Sequence, residues 1–101
     1  MEEKFGFDLA YKYLSEGKCI AREGWNGKGL FVFKNYPSTV KKDSIQDLVS
    51  MPNSAKNLLY DKNIDITYRN QMLIVNKEGI IDSWVPSSSD VFAKDWIIVN
   101  G

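Results

Sequence analysis

Apolar positions recur along this chain with two periods. In residues 6–16, GFDLAYKYLSE, Phe7, Ala10, Tyr11 and Leu14 fall at i, i+3, i+4 and i+7, the spacing of one helix face. Gly17 suits the position just past a helix end, where φ > 0 is wanted, and Lys18 complements the carbonyl end. From residue 18 the period becomes two. KCIARE at 18–23 alternates as a short strand, and LFVFKNY at 30–36 is a run of aromatic and β-branched residues. GWNGKG lies between them. Its Asn26-Gly27 pair predicts a tight turn, so 18–36 reads as a hairpin.

Residues 37–63 break this pattern and read as an insertion with weak helical stretches at 44–51 and 54–62. IDITYR at 64–69 alternates again. QMLIVN at 71–76 and IIDSWV at 80–85 form a second hairpin around Lys77-Glu78-Gly79, and Pro86 ends it. SSSDVFAKD at 87–95 predicts a short helix or turn with Ser88 or Ser89 as N-cap. WIIVN at 96–100 is continuously apolar, which predicts a strand central in the sheet. The expected fold class is α+β: an N-terminal helix plus a twisted antiparallel β-sheet of two hairpins and a C-terminal strand, with a helical insertion. The expected organisation is a single domain, 1–101, carrying the insertion at 37–63.

Composition narrows the function classes. A chain of 101 residues buries only ~60–65% of its unfolded surface, so its core is thin and a partner subunit would help it. Lysine plus arginine number 13 and so do aspartate plus glutamate, a balance without the basic field of a general DNA or RNA binder. One small anionic ligand remains open, since it needs only one or two local cations. No histidine is present and Cys19 is the single cysteine. The usual zinc sites and the Ser–His and Cys–His nucleophile pairs are thereby excluded, and no internal disulfide can form. No catalytic residue and no cofactor is expected. No apolar stretch nears the roughly 20 residues that span a bilayer, and MEEKFGFD does not read as a signal peptide.

The residues with functional promise sit in two tryptophan-bearing segments, REGWNGKG at 22–29 and SWVPSSSDVFAKDW at 83–96. Asn-Gly and the glycines explain a turn, but not why Trp25 stands inside it. Trp25 either anchors the loop or offers a flat face for a base. The segment is no P-loop, because it lacks the six-residue spacing and the following Ser/Thr. Arg22, Lys28 and Arg69 are the nearest cations, and arginine is the side chain suited to bidentate phosphate contact. Trp96 opens an apolar strand and reads as core, whereas Trp84 precedes Val85-Pro86 and can face the serine turn. Ser87, Ser88 and Ser89 supply hydroxyls and N–H groups for an anion. Asp90 can cap the helix or accept a ribose hydroxyl.

A helix ending in EGK, then IAREGWNGKG, LFVF, TYR and WVPSSSDVFAKDW, together resemble the small phage proteins of the Thoeris anti-defence family, second type. The similarity covers residues 5–33 and 64–99, and the pairing of AREGWNGKG with SDVFAKDW carries most of it. The resemblance implies a phage-encoded sponge. Such a protein binds a cyclic ADP-ribose isomer made by bacterial TIR-domain immune enzymes and holds it uncleaved; some relatives take cyclic oligonucleotides. It further implies a homo-oligomer, commonly a tetramer, with pockets involving neighbouring protomers, at work in the host bacterial cytoplasm. Carried over by residue, Trp25 and Asn26 lie at the base or ribose, Arg69 near the phosphates, and Trp84 and Asp90 on a second wall. Ser88 joins them from the reading of the serine turn. Two departures stand out: Asn70 follows Arg69 where relatives have proline, and 37–63 is longer than the usual linker. Two other functions stay open from the residues alone. One is a small nucleotide hydrolase using Asp82, Asp90 or Asp95. The other is a protein-interaction inhibitor of a host immune protein.

Overall fold

A computed structural model describes residues 3–101, the side chains of residues 26 and 27 excepted. The chain divides into two compact units, residues 1–35 with 70–101, and residues 36–69.

The larger unit opens with α1, Phe7–Ser15, which buries Ala10 and Leu14. Its end follows from the sequence LSEGK. The Lys18 N–H donates to the Tyr13 carbonyl at 3.0 Å and the Gly17 N–H to the Leu14 carbonyl at 3.0 Å. Two bonds with this offset satisfy carbonyls that a helix end leaves open, and they require a left-handed residue at Gly17, whose φ is 91°. The Lys18 ammonium then lies 5.0 Å from the centre of the Tyr13 ring, a cation–π contact.

Among the described residues five strands form the main sheet: β1 (Cys19–Arg22), β2 (Phe31–Asn35), β5 (Gln71–Val75), β6 (Ile81–Ser83) and β7 (Trp96–Val99), in the order β6-β5-β2-β1-β7. All neighbours are antiparallel. The register sets Ile20 beside Val32 and Ile98, and Val32 beside Ile74. These side chains therefore share the face on which Ala10 and Leu14 of α1 pack, and Trp84 and Trp96 complete that core. The α+β reading, two hairpins and a C-terminal strand behind an N-terminal helix, is the fold observed.

Three local expectations are corrected. β7 is an edge strand beside β1, not a central one. It is apolar throughout because Trp96 serves the core face while Ile97, 1% exposed, is enclosed on the other. Its outer side is closed at Trp96 by the reciprocal N–H to carbonyl bonds with Phe5, both 3.0 Å. The GWNGKG segment is a 3-10 turn, Glu23–Lys28, in place of a two-residue turn at Asn26-Gly27. The left-handed residue is Gly29, φ 68°. Third, the short helix α3, Ser88–Phe92, is capped by Ser87, not by Ser88 or Ser89.

The smaller unit takes in the expected insertion and the strand that follows it. β3 (Ser38–Val40) pairs antiparallel with β4 (Ile66–Tyr68) as a separate two-stranded sheet. A 3-10 segment, Lys42–Asp47, and α2, Asn53–Lys62, lie between them. The buried Lys56 ammonium donates to the Gln46 carbonyl at 2.9 Å, tying the two. Asp65 accepts the Lys42 N–H at 2.9 Å, and this bond is the chief reason its pKa falls below the ordinary value, helped by Lys41.

Gly17→Ala must hold a Cβ in the left-handed region and is expected to cost about 1–2 kcal/mol, read as a lower urea midpoint at unchanged slope. Asp65 titrates lower in the folded chain than in the unfolded one. Its contribution is therefore complete above the ordinary aspartate pKa and is lost as pH falls through the depressed value. Urea titrations at stepped pH should show an acid loss of stability in the native chain that is smaller in Asp65→Asn.

Candidate functional site

The site begins with three indoles that meet edge to face. Trp25 approaches Trp96 at 5.4 Å between ring centres and 82°, and Trp84 at 6.3 Å and 85°. Trp84 and Trp96 are 5.9 Å apart at 81°. Phe7 of α1 closes the group, 5.5 Å from Trp96 and 6.3 Å from Trp84. Each T-shaped pair aims a positive ring edge at a negative face, worth about 0.5–1.5 kcal/mol beyond burial. This explains the 3-10 turn. An Asn-Gly turn would hold Trp25 at a hairpin tip, whereas the longer path lays it on two other indoles. The start of that path is fixed by the Glu23 N–H, which donates to the Asp95 carbonyl at 2.9 Å, and by the Lys4–Glu23 ion pair at 2.6 Å.

The second wall is α3. Ser87 Oγ accepts the Asp90 N–H at 3.1 Å while Asp90 Oδ2 accepts the Ser87 N–H at 2.9 Å. That reciprocal pair is a capping box. The Asp90 carbonyl accepts the Trp96 indole N–H at 2.8 Å, which joins α3 to the indole group. Arg22, the last residue of β1, then clamps the same element. Its Nη1 donates to Asp90 Oδ1 at 3.2 Å and to Ser89 Oγ at 3.3 Å, and its Nε donates to Asp95 Oδ1 at 3.1 Å. The Asp95 bond is the largest reason the guanidinium pKa is raised; burial works against it and Asp90 adds to it. Both Asp90 oxygens are thus occupied from within the chain.

The structure brings Trp25, Trp84, Ser88 and Asp90 into one neighbourhood of the larger unit. Trp25 is half-buried, Trp84 is 8% exposed, and Ser88 is exposed. Arg69 is exposed and belongs to the smaller unit, just after β4. The Asn26 side chain lies outside the described residues. Phe7 is not singled out as a site residue by the sequence, and Ser87 is named there only with Ser88 and Ser89 as a source of hydroxyls and N–H groups. Arg22 was named only as a nearby cation, and its geometry makes it the positioning residue of α3. Beside α1 the larger unit also forms an open hollow of about 220 Å³, with Tyr11, Ser15, Lys34, Gln71 and Met72 in its lining. The Met72 carbonyl accepts the Trp84 N–H at 2.9 Å. Among the described residues no group of three acidic or cysteine side chains is placed to hold a metal, and no helix is long and apolar enough to cross a membrane.

The family model of the Tad2-like, or Thoeris anti-defense 2-like, domain matches residues 5–99. A curated protein of Bacillus phage SP01, Thoeris anti-defense 2, is 29% identical over 103 residues, covering 99% of this chain and 100% of that protein.

Arg22→Ala leaves Asp90 without its cation beside α3. The guanidinium side chain is 25% exposed, so part of the interaction is screened by water and a loss of about 1–2 kcal/mol is expected. A double-mutant cycle with Asp90→Asn should return a coupling of about 1 kcal/mol; additive effects would show that the clamp does not hold α3.

Proposed function

This chain belongs to the Tad2-like family, the Thoeris anti-defense 2-like domain, and from that premise we propose that it is a phage anti-defence protein that sequesters a cyclic ADP-ribose isomer, or a related cyclic nucleotide, without cleaving it. The observation that carries the reading is the joining of Trp25, Trp84 and α3 in one braced neighbourhood. Those elements lie within the two segments REGWNGKG and SWVPSSSDVFAKDW. In this reading Trp25 and Asn26 meet the base or ribose, Trp84, Ser88 and Asp90 form the facing wall, and Arg69 reaches phosphate.

Physical arguments favour holding over turnover. The chain has no histidine. Asp90 already accepts from Arg22 and from the Ser87 N–H. A carboxylate bound on both oxygens is poorly placed to take a proton from an attacking water. Asp90 therefore acts by shape and by keeping α3 in place, with Arg22 as its brace.

Sequestration also argues for more than one copy. A Kd near nanomolar is about −12 kcal/mol. A ligand of about 35 non-hydrogen atoms, at about −0.3 kcal/mol each, gives roughly −10 kcal/mol even when well enclosed. With Trp84 nearly covered and Trp25 half-covered inside their own chain, one protomer offers too little indole surface to enclose such a molecule. A homo-oligomer, a tetramer in this reading, supplies the missing walls from a neighbour. The host bacterial cytoplasm, where such a signal is made, is the proposed place of action.

The test is calorimetry with cyclic ADP-ribose isomers, followed by heat release and mass analysis of what was bound. Intact ligand is expected. Trp25→Ala should weaken binding about 10-fold or more, as loss of a base-stacking ring does, while near-ultraviolet dichroism confirms the remaining tertiary structure. Recovery of a cleaved product would replace the sponge with a hydrolase. Absence of any small ligand, with a host immune protein co-purifying, would replace it with a direct protein inhibitor.

A further inference from the structure

α1 covers only part of the sheet face on which it packs. Ala10 and Leu14 join Ile20, Val32 and the indoles in the core, while Met72 and Ile74 of β5 are half-buried against it. The register sets Lys34 of β2 directly beside Met72, and by alternation both stand on the α1 side with Val32 and Ile74. Beside the last turn of the helix this leaves the open hollow of about 220 Å³. Tyr11, Leu14 and Ser15 of α1 line one side of it, and Lys34, Asn70, Gln71 and Met72 at the root of the β2–β5 pair line the other. All of them belong to the larger unit. Leu14, the Met72 thioether and the ring of Tyr11, a residue 59% exposed, form the apolar part of the lining. Lys34 is its one charged residue, and no carboxylate lines it. The Ser15 hydroxyl and the amides of Asn70 and Gln71 add uncharged donors.

We propose that this hollow binds a small organic monoanion, a carboxylate carried on a flat apolar body. Charge sets the class. A lysine ammonium is a compact point charge that matches one carboxylate. With no arginine fork and no second cation, the lining offers little to a doubly charged phosphate. The uncharged donors can serve the second carboxylate oxygen. Shape sets the body. The Tyr11 ring takes another ring edge to face or offset, and the flexible Met72 adapts to what lies on it. Size sets the limit. Sites for drug-sized ligands begin at about 300 Å³, so 220 Å³ admits a fragment and not a dinucleotide. The occupant meets Met72, which packs on the indole core and whose carbonyl accepts the Trp84 N–H at 2.9 Å. Tryptophan emission therefore reports its arrival.

The proposal stands on the hollow alone and does not need the nucleotide reading. Phenylacetate is the probe, titrated into the native full-length protein and followed by backbone amide shifts and tryptophan emission. Shifts are expected at Ser15, Gln71 and Met72, with a Kd of about 0.1–1 mM as befits a fragment in an open site. Phenylacetamide has the same shape without the charge and should bind at least about 10-fold more weakly, as loss of a charge-assisted bond does. Lys34→Gln should weaken phenylacetate by a similar factor. Tyr11→Ala, at an exposed position, should weaken it about 5-fold through loss of the ring contact. Circular dichroism verifies that both variants are folded. Shifts centred elsewhere, equal affinity for acid and amide, or unchanged affinity in both variants would overturn the proposal. Displacement of the probe by inorganic phosphate would do the same, since a general anion site is not the one described. A saturating cyclic ADP-ribose isomer should leave the probe in place, and competition between the two would show a single site and overturn the separate hollow. If no nucleotide binds, the sequestration reading fails while the phenylacetate titration still decides this one.

Discussion

The indole of Trp96 is wholly enclosed, and its N–H donates to the Asp90 carbonyl at 2.8 Å. The backbone of Trp96 pairs with β1 and exchanges bonds with Phe5, and its ring meets Phe7 of α1, Trp25 and Trp84. The indole is also a polar group without water, and it needs an acceptor or costs about 1–3 kcal/mol. The acceptor is a carbonyl inside α3, so α3 must end up where it does. A five-residue helix has no stability of its own. It exists here because Trp96 demands its carbonyl, Ser87 and Asp90 cap it, and Arg22 clamps its carboxylate. The proposed binding wall is thus a by-product of satisfying one buried N–H.

That dependence explains which features the sequence disclosed. The helix, its Gly17 end and the two hairpins are local: each is written in a period or a turn residue that acts on its neighbours. Even the cap was readable. Of the three serines only Ser87 has an acid three residues on, at Asp90, and that spacing is the signature of the capping box. The 3-10 turn was not readable, because Asn26-Gly27 is a sound local signal for a tight turn. It loses to a tertiary gain, the seating of Trp25 on two indoles that lie about sixty and seventy residues away in the chain. The edge placement of β7 was hidden for a similar reason. A strand apolar on both faces reads as central, and only the topology reveals that Phe5 closes its outer side. The pairing of β3 with β4 rests on contacts across the whole of the intervening segment, which no short window contains.

The candidate residues divide along the same line. Trp25, Trp84 and Asp90 were legible as unusual side chains in turn-like segments, and they do share one neighbourhood. Arg22 was seen as one cation among three. Its role depends on Asp90 and Asp95, both more than sixty residues distant, so its brace could be found only in three dimensions. Arg69 shows the converse. It is conspicuous in sequence, yet it stands in the smaller unit, apart from the indole group of the larger one in the chain's division.

One constraint links the thin core to the proposed function. With 101 residues a chain cannot both bury a full core and enclose a dinucleotide-sized ligand. It has spent its tryptophans on the interior, leaving Trp25 as the one indole still half-open. The sheet face opposite α1 carries no charge on its strands, and Ala21 and Ile97 are enclosed on it. In the proposed reading a neighbouring copy completes the pocket that one chain begins. Deep enclosure is what slow release of a small ligand demands, and in that proposed reading the neighbouring copy supplies what the short chain cannot.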